Sequence, residues 1–202
     1  EPCQRIKVVE ASHPIPDAQG EQAAARMLEF VSNLSAEELV ICLFSGGGSA
    51  LLSLPAPGIT LADKQVINRQ LLLSGAAIAD INCVRKHLSR IKGGRLARAC
   101  HPAQLITYAI SDVPGDHPDV IASGPTVADT TCSAAALEIL QRYDIKVGAH
   151  ILDWLEDSRS ETVKANDPAF VGNPFHLIAT AGHSLRAAAG TAREAGVGVP
   201  LL

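Results

Sequence analysis

Aromatic residues are scarce in this chain, making up 3% of its 202 positions, while alanine, leucine, isoleucine and valine are plentiful. That imbalance speaks against a twisted all-β sandwich and favours helices packed on a sheet. There is no excess of positive charge. The net charge of −4 excludes the broad basic field that attracts a nucleic-acid backbone, so no nucleic-acid partner is expected. No C-x-x-C pair occurs, and Cys3, Cys42, Cys83, Cys100 and Cys132 are odd in number and scattered. They indicate neither a disulfide framework nor a zinc ribbon, and they fit a reducing, cytoplasmic setting. The seven histidines show no H-x-H or H-x-x-x-H spacing, so zinc is not expected either. No apolar run approaches the roughly 18 residues of a membrane span. The opening residues lack the charge-then-apolar order of a signal peptide. Because Glu1 is not methionine, a segment is expected ahead of it.

What is present is an apolar content of 47%, enough to bury a core in one domain or a small pair. Residues 6–9 form a short apolar run ending in a loop with two prolines, which predicts a strand followed by a helix over residues 20–32. Residues 39–44 are continuously apolar, as in a strand covered on both faces. Thr60-Leu61-Ala62-Asp63 resembles a capping box that opens a helix through about Ser74, and a second helix is predicted over residues 80–92. Residues 105–110 and 175–180 read as further strands. Residues 132–143, 151–155 and 184–195 read as helices. Residues 156–174 have no clear period and read as an exposed excursion. The repeated order of strand then helix predicts an α/β fold, a Rossmann-like three-layer arrangement of a mainly parallel sheet with helices on both faces. Ligands then gather at the C-terminal edge of the strands.

Three clusters at such edges can carry chemistry. Ser45, Gly46, Gly47, Gly48 and Ser49 follow the strand at 39–44 and can present backbone N–H groups to a phosphate or carboxylate. The alternative is a tight turn that serves packing alone. A dinucleotide fingerprint fails here because Leu51 stands where the third glycine belongs. A nucleophile elbow fails at the same residue, and no lysine follows the glycines as a P-loop requires. The second cluster runs from Arg85 to Arg95. On a helix, Lys86 and Arg90 point away from the buried face and Arg85 with Lys92 lies on a flank that can reach inward, while a break at Gly93-Gly94 leaves Lys92 and Arg95 near a bend as candidate anion binders. The third is the loop with Asp112, Asp116 and Asp119, where carboxylates can hold Mg²⁺ or orient a hydroxyl. Turn formation accounts better for Asp119. His13 lies in a loop after a strand and is a candidate substrate contact, with a surface role as the alternative. Ser123-Gly124-Pro125-Thr126 lies just beyond the acidic loop and can return the chain to the same edge, though by its spelling alone it is a turn.

Five motifs occur in order: His13-Pro14-Ile15-Pro16-Asp17, Phe44-Ser45-Gly46-Gly47-Gly48-Ser49-Ala50-Leu51, Leu88-Ser89-Arg90-Ile91-Lys92-Gly93-Gly94-Arg95-Leu96-Ala97, Ser111-Asp112-Val113-Pro114-Gly115-Asp116 and Ile121-Ala122-Ser123-Gly124-Pro125-Thr126. Together they resemble the glycerate 2-kinase family whose second domain is called MOFRL, members of which are often labelled hydroxypyruvate reductases. The resemblance implies an ATP- and Mg²⁺-dependent kinase that makes 2-phosphoglycerate from D-glycerate in a cleft between two α/β domains. Residues 1–202 then correspond to most of the first domain. A motif with an active-site lysine is expected before Glu1, the MOFRL domain after Leu202, and no kinase activity from this chain by itself. On this reading Asp112 and Lys92 are catalytic, and Ser45 to Ser49, Arg95 and His13 bind phosphate or substrate. Asp112 and Asp116 meet the metal. The partners are D-glycerate and ATP, with a homodimer allowed. An NAD(P)-dependent reductase and a non-catalytic anion-binding domain are the alternatives.

Overall fold

The computed structural model describes residues 4–198. Three strands, β1 (Leu39–Phe44), β2 (Gln104–Ile110) and β3 (Phe175–Ala179), form one parallel sheet in the order β1-β2-β3. Leu39 lies opposite Gln104 and Phe44 opposite Ala109, while Thr107 lies opposite Phe175. Parallel neighbours need long crossovers, and helices fill them. Helix α1 (Ala18–Val31) precedes β1. Helices α2 (Gly48–Leu51), α3 (Leu61–Leu73), α4 (Ile78–His87) and α5 (Arg95–Cys100) lie between β1 and β2. Helices α6 (Ser133–Arg142) and α7 (Ala149–Glu156) lie between β2 and β3, and α8 (Ala181–Glu194) follows. The chain is therefore α/β with a parallel sheet, as its strand–helix alternation predicts.

The local chemistry of the sequence sets most of these boundaries. Asp17 caps α1 by accepting the Gly20 N–H, and Thr60 with Asp63 forms the complete capping box of α3. Helix α4 stops at His87, five residues short of the predicted Lys92. Beyond it the backbone turns to pair with another segment: Ser89 bridges Pro55, and the Arg90 N–H donates to the Leu54 carbonyl. The short helices α2 and α5 were not foreseen, being too brief to show a period.

Two apolar clusters hold the molecule together. Ala24 and Val31 of α1 meet Leu96, Ala97 and Cys100 of α5 and Leu105 of β2, covering one face of the sheet. Ile67 and Leu71 of α3, Val84 of α4, Ile139 of α6 and Leu155 of α7 form the other. On the opposite sheet face Leu39, Ile41, Leu43 and Ile178 are exposed among the described residues.

Two expectations are corrected. Residues 6–9 form no strand: their side chains are exposed, and β1 pairs with β2 alone among the described strands. Residues 156–174 are not an exposed excursion, because Ser160, Val163 and Ala169 are fully buried. They carry no helical period because they pack as irregular backbone against Gly93 and Gly94, whose missing side chains leave room for Thr162 and Val163.

Candidate active site

The parallel sheet brings the C-terminal ends of β1 and β2 to one edge, and the glycine turn meets the acidic loop there. A Cβ built on Gly46 would lie 2.3 Å from Asp112 Oδ2, so the Asp112 carboxylate occupies the space that any other residue at position 46 would fill. The His13 ring covers Gly47, whose φ of 82° caps α2. Gly48 faces Ala122, and Ser49 Oγ is 2.9 Å from Ser123 Oγ. Residues 121–124 thus form one wall of the site, with Ser123 and Gly124 returning the chain to this edge. Asp116, Ala122 and Ser123 all have positive φ, between 51° and 64°. Ala122 and Ser123, two such residues in succession against the glycine turn, mark a place where geometry has been favoured over backbone comfort.

The basic segment folds differently from its helical projection. The Gly93 and Gly94 N–H groups donate to the Ser123 and Gly124 carbonyls, which ties this bend to the wall just described. The expectation that Lys86 points to solvent is corrected. It is buried and pairs with Asp129 at 2.9 Å and with Asp119 at 3.3 Å. Asp119 therefore does more than shape a turn. The expectation that Arg95 binds phosphate is corrected as well, because its guanidinium donates to the carbonyls of Lys86, Lys92, Ser160 and Glu161. Both of its terminal nitrogens are engaged in holding the bend, one with Lys86 and Lys92 and the other with residues 160–161. Arg90 is exposed, as expected.

Lys92 is fully buried, and its Nζ donates to the Ala122 carbonyl at 3.2 Å. It lines a cavity of about 310 Å³ together with His13, Ser49, Asn68, Arg85 from the same predicted helix flank, and Lys64, a cation that sequence reading passed over. Lys64, on α3, is 8% exposed, and its Nζ has no hydrogen-bond partner. Arg85, on α4, donates through Nε to Asn68 Oδ1 at 2.8 Å, a neutral acceptor. No carboxylate among the described residues forms an ion pair with any of the three. Burial, reinforced by the charge of Arg85, pulls the Lys64 amine down to about 7. Burial likewise lowers Lys92 well below the ordinary lysine range, and the charges of Lys64 and Arg85 add to it. The one sequence signal for Lys64 was its place directly after the capping box, which by itself points nowhere.

Among the described residues no group of three or more His, Cys, Asp or Glu side chains forms a metal cage. At this edge the Asp112 carboxylate stands against Gly46, and a carboxylate is a hard oxygen donor of the kind Mg²⁺ prefers. No described helix is long and apolar enough to cross a membrane.

Residues 1–156 match the family described as "Domain of unknown function (DUF4147)". The chain belongs to this family. Among DUF4147 relatives, the D-glycerate 2-kinase of Thermotoga maritima is 37% identical over 202 residues, which are 100% of this chain and 46% of that protein. An Agrobacterium vitis protein named "Putative hydroxypyruvate reductase" is 47% identical over 97% of this chain and 44% of its own length. A crystal structure of glycerate kinase from Thermotoga maritima superposes with a TM-score of 0.87 at 38% identity, covering 97% of this chain and 46% of that one. The family resemblance read from the five motifs is therefore borne out. The chain spans about half the length of the relatives it matches.

Proposed function

We propose that this DUF4147 chain is most of the first domain of a glycerate 2-kinase, which transfers phosphate from ATP to the 2-hydroxyl of D-glycerate. The observation that carries this reading is its likeness to a solved glycerate kinase, which superposes over 97% of this chain with a TM-score of 0.87. The local chemistry supports it. In phosphoryl transfer the protein supplies position and charge neutralisation rather than covalent chemistry. Asp112 accepts a hydrogen bond from the attacking hydroxyl and orients it. As the hydroxyl oxygen bonds to the γ-phosphorus, its proton passes to the Asp112 carboxylate, and the bond from the γ-phosphorus to the β-phosphate oxygen breaks so that ADP leaves. Ser45 to Ser49 present the backbone turn to the anionic group, His13 covers it, and Lys92 neutralises charge. Asp112 and Asp116 would hold Mg²⁺, which when bound offsets the negative charge of the phosphates. In this reading the partners are D-glycerate and ATP, and the setting is cytoplasmic.

The reductase alternative rests on a relative's name and is opposed by Leu51, which interrupts the dinucleotide fingerprint. The two are separated by extending the chain to the length of its relatives and supplying D-glycerate with ATP, then hydroxypyruvate with NADH. Glycerate-dependent ADP release is expected, and NADH oxidation without it would overturn the kinase reading. The 202-residue chain by itself is expected to release no ADP.

A further inference from the structure

Three cationic side chains, two of them more than nine-tenths buried, line one cavity without a counter-charge, and that arrangement calls for a ligand. We propose that the cavity between α3, α4 and the Ser49 turn is a binding site for a small oxyanion, a carboxylate or a phosphate group, gripped by Lys64, Arg85 and Lys92. The assignment deepens the proposed function, on which the roles of Lys92, Ser49 and His13 rest, and adds Lys64 and Arg85 from the geometry of the cavity.

An ionised amine taken out of water without a partner is among the costliest features a fold can carry. Lys64 Nζ has no partner, and Lys92 Nζ has one carbonyl where an ammonium can serve three acceptors. Arg85 is held by Asn68 and by Asn82 at 3.5 Å, two amides that orient a guanidinium without neutralising it. Core packing does not explain the trio, since an apolar residue would fill position 64 without the desolvation cost. A bound anion explains all three at once, because each cation gains the charge-assisted hydrogen bond it lacks.

The size and polarity of the site narrow the ligand. About 310 Å³ is at the small end of ligand pockets, room for a small acid or one phosphate group rather than a nucleotide with its base. Ser49 on the rim, joined to Ser123, places a hydroxyl beside the cations. His13 faces the cavity from the N-terminal loop, and Glu21 of α1 attracts Lys64 from a distance without pairing. The charge of Arg95 acts on Lys64 in the opposite sense. With a field this positive, an anion's arrival favours the protonated form of Lys64, and binding near neutral pH takes up a proton.

The test uses the 202-residue chain and separate titrations with inorganic phosphate, D-glycerate and, as the screening control, chloride at matched ionic strength. Lysine ε-methylene NMR signals, assigned through Lys64→Arg and Lys92→Arg, report the cations directly. Isothermal titration in two buffers of different ionisation enthalpy reports the proton. A saturable shift of Lys64 with phosphate alone identifies a phosphate site, one with D-glycerate alone a carboxylate site, and one with both a general oxyanion site. Lys64→Met and Arg85→Met are each expected to weaken binding at least about tenfold, or about 1.4 kcal/mol. The wild-type NMR titration decides the matter should either variant not fold. A Lys64 signal that none of the anions moves, or moves no more than chloride does, overturns the site. So does Lys64→Met binding as well as wild type. Loss of the kinase reading would show instead as absent ADP release from the length-extended protein with this binding intact.

Discussion

Asp112 and Gly46 share a space that admits only one side chain. In Gly46→Ala the new methyl would displace the Asp112 carboxylate, the far end of a flexible and exposed side chain, so the fold should lose little stability. Turnover in the length-extended protein is expected to fall on the order of 100-fold, because an orienting group is misplaced by about an ångström. Steady-state kinetics beside a thermal melt separates the two effects. Lys64 makes a second prediction through pH. Its folded pKa lies below the unfolded value, so the unfolded state binds more protons between about 7 and the ordinary lysine range. The penalty on folding is therefore full below about pH 7 and fades as pH rises through that window. Lys64→Met should be more stable than wild type in urea melts without anion, with an advantage that is largest at or below pH 7 and shrinks by pH 9. A constant difference would remove Lys64 from the account.

At the scale of elements, the bend at residues 88–95 is the joint of the site. It is pinned by the Gly93 and Gly94 N–H groups on one side and by Arg95 on the other. Burial draws the Arg95 guanidinium down to about 10, so it remains charged at neutral pH while satisfying four carbonyls. Arg95→Ala is expected to cost about 3 kcal/mol in chemical denaturation, the scale of charged hydrogen bonds lost from partly buried carbonyls. Lys92 should then be displaced as well, read as a loss of the phosphate-induced shift of its NMR signal. Elements with a clear period or cap were legible beforehand: α1, α3 and β1 from pattern and capping, β2 from its apolar run. Residues 156–174 were not, because irregular backbone buried by side chains from elsewhere leaves no periodic trace.

For the whole molecule, an anion that binds the folded chain and not the unfolded one must raise its thermal midpoint. Phosphate at 100 times its dissociation constant should add about 2.7 kcal/mol of stability. Calorimetric scans across a phosphate series are expected to show the midpoint climbing in wild type and staying flat in Lys64→Met, beyond what chloride produces at equal ionic strength. The same chain leaves Leu39, Ile41 and Leu43 of β1 open on one sheet face, while α8 contributes no buried side chain.

What the amino-acid sequence determined by itself was local and periodic: the α/β class, the glycine turn after β1, the acidic loop after β2, and five motifs that carry the family. These follow from nearest neighbours along the chain, where capping, apolar runs and glycine spacing act directly. Only the tertiary structure decided which charged residues face one another. Lys86 and Lys92 are six residues apart in one basic run, yet one is neutralised by Asp129 and the other lines an uncompensated cavity. Arg95 looks like an anion binder until residues 160–161 supply the carbonyls that occupy it. Lys64 and Arg85, 21 positions apart, become neighbours because α3 and α4 pack over a shared core. The role of a charge depends on what lies across from it, and that is set by the fold rather than by the residues beside it in the chain.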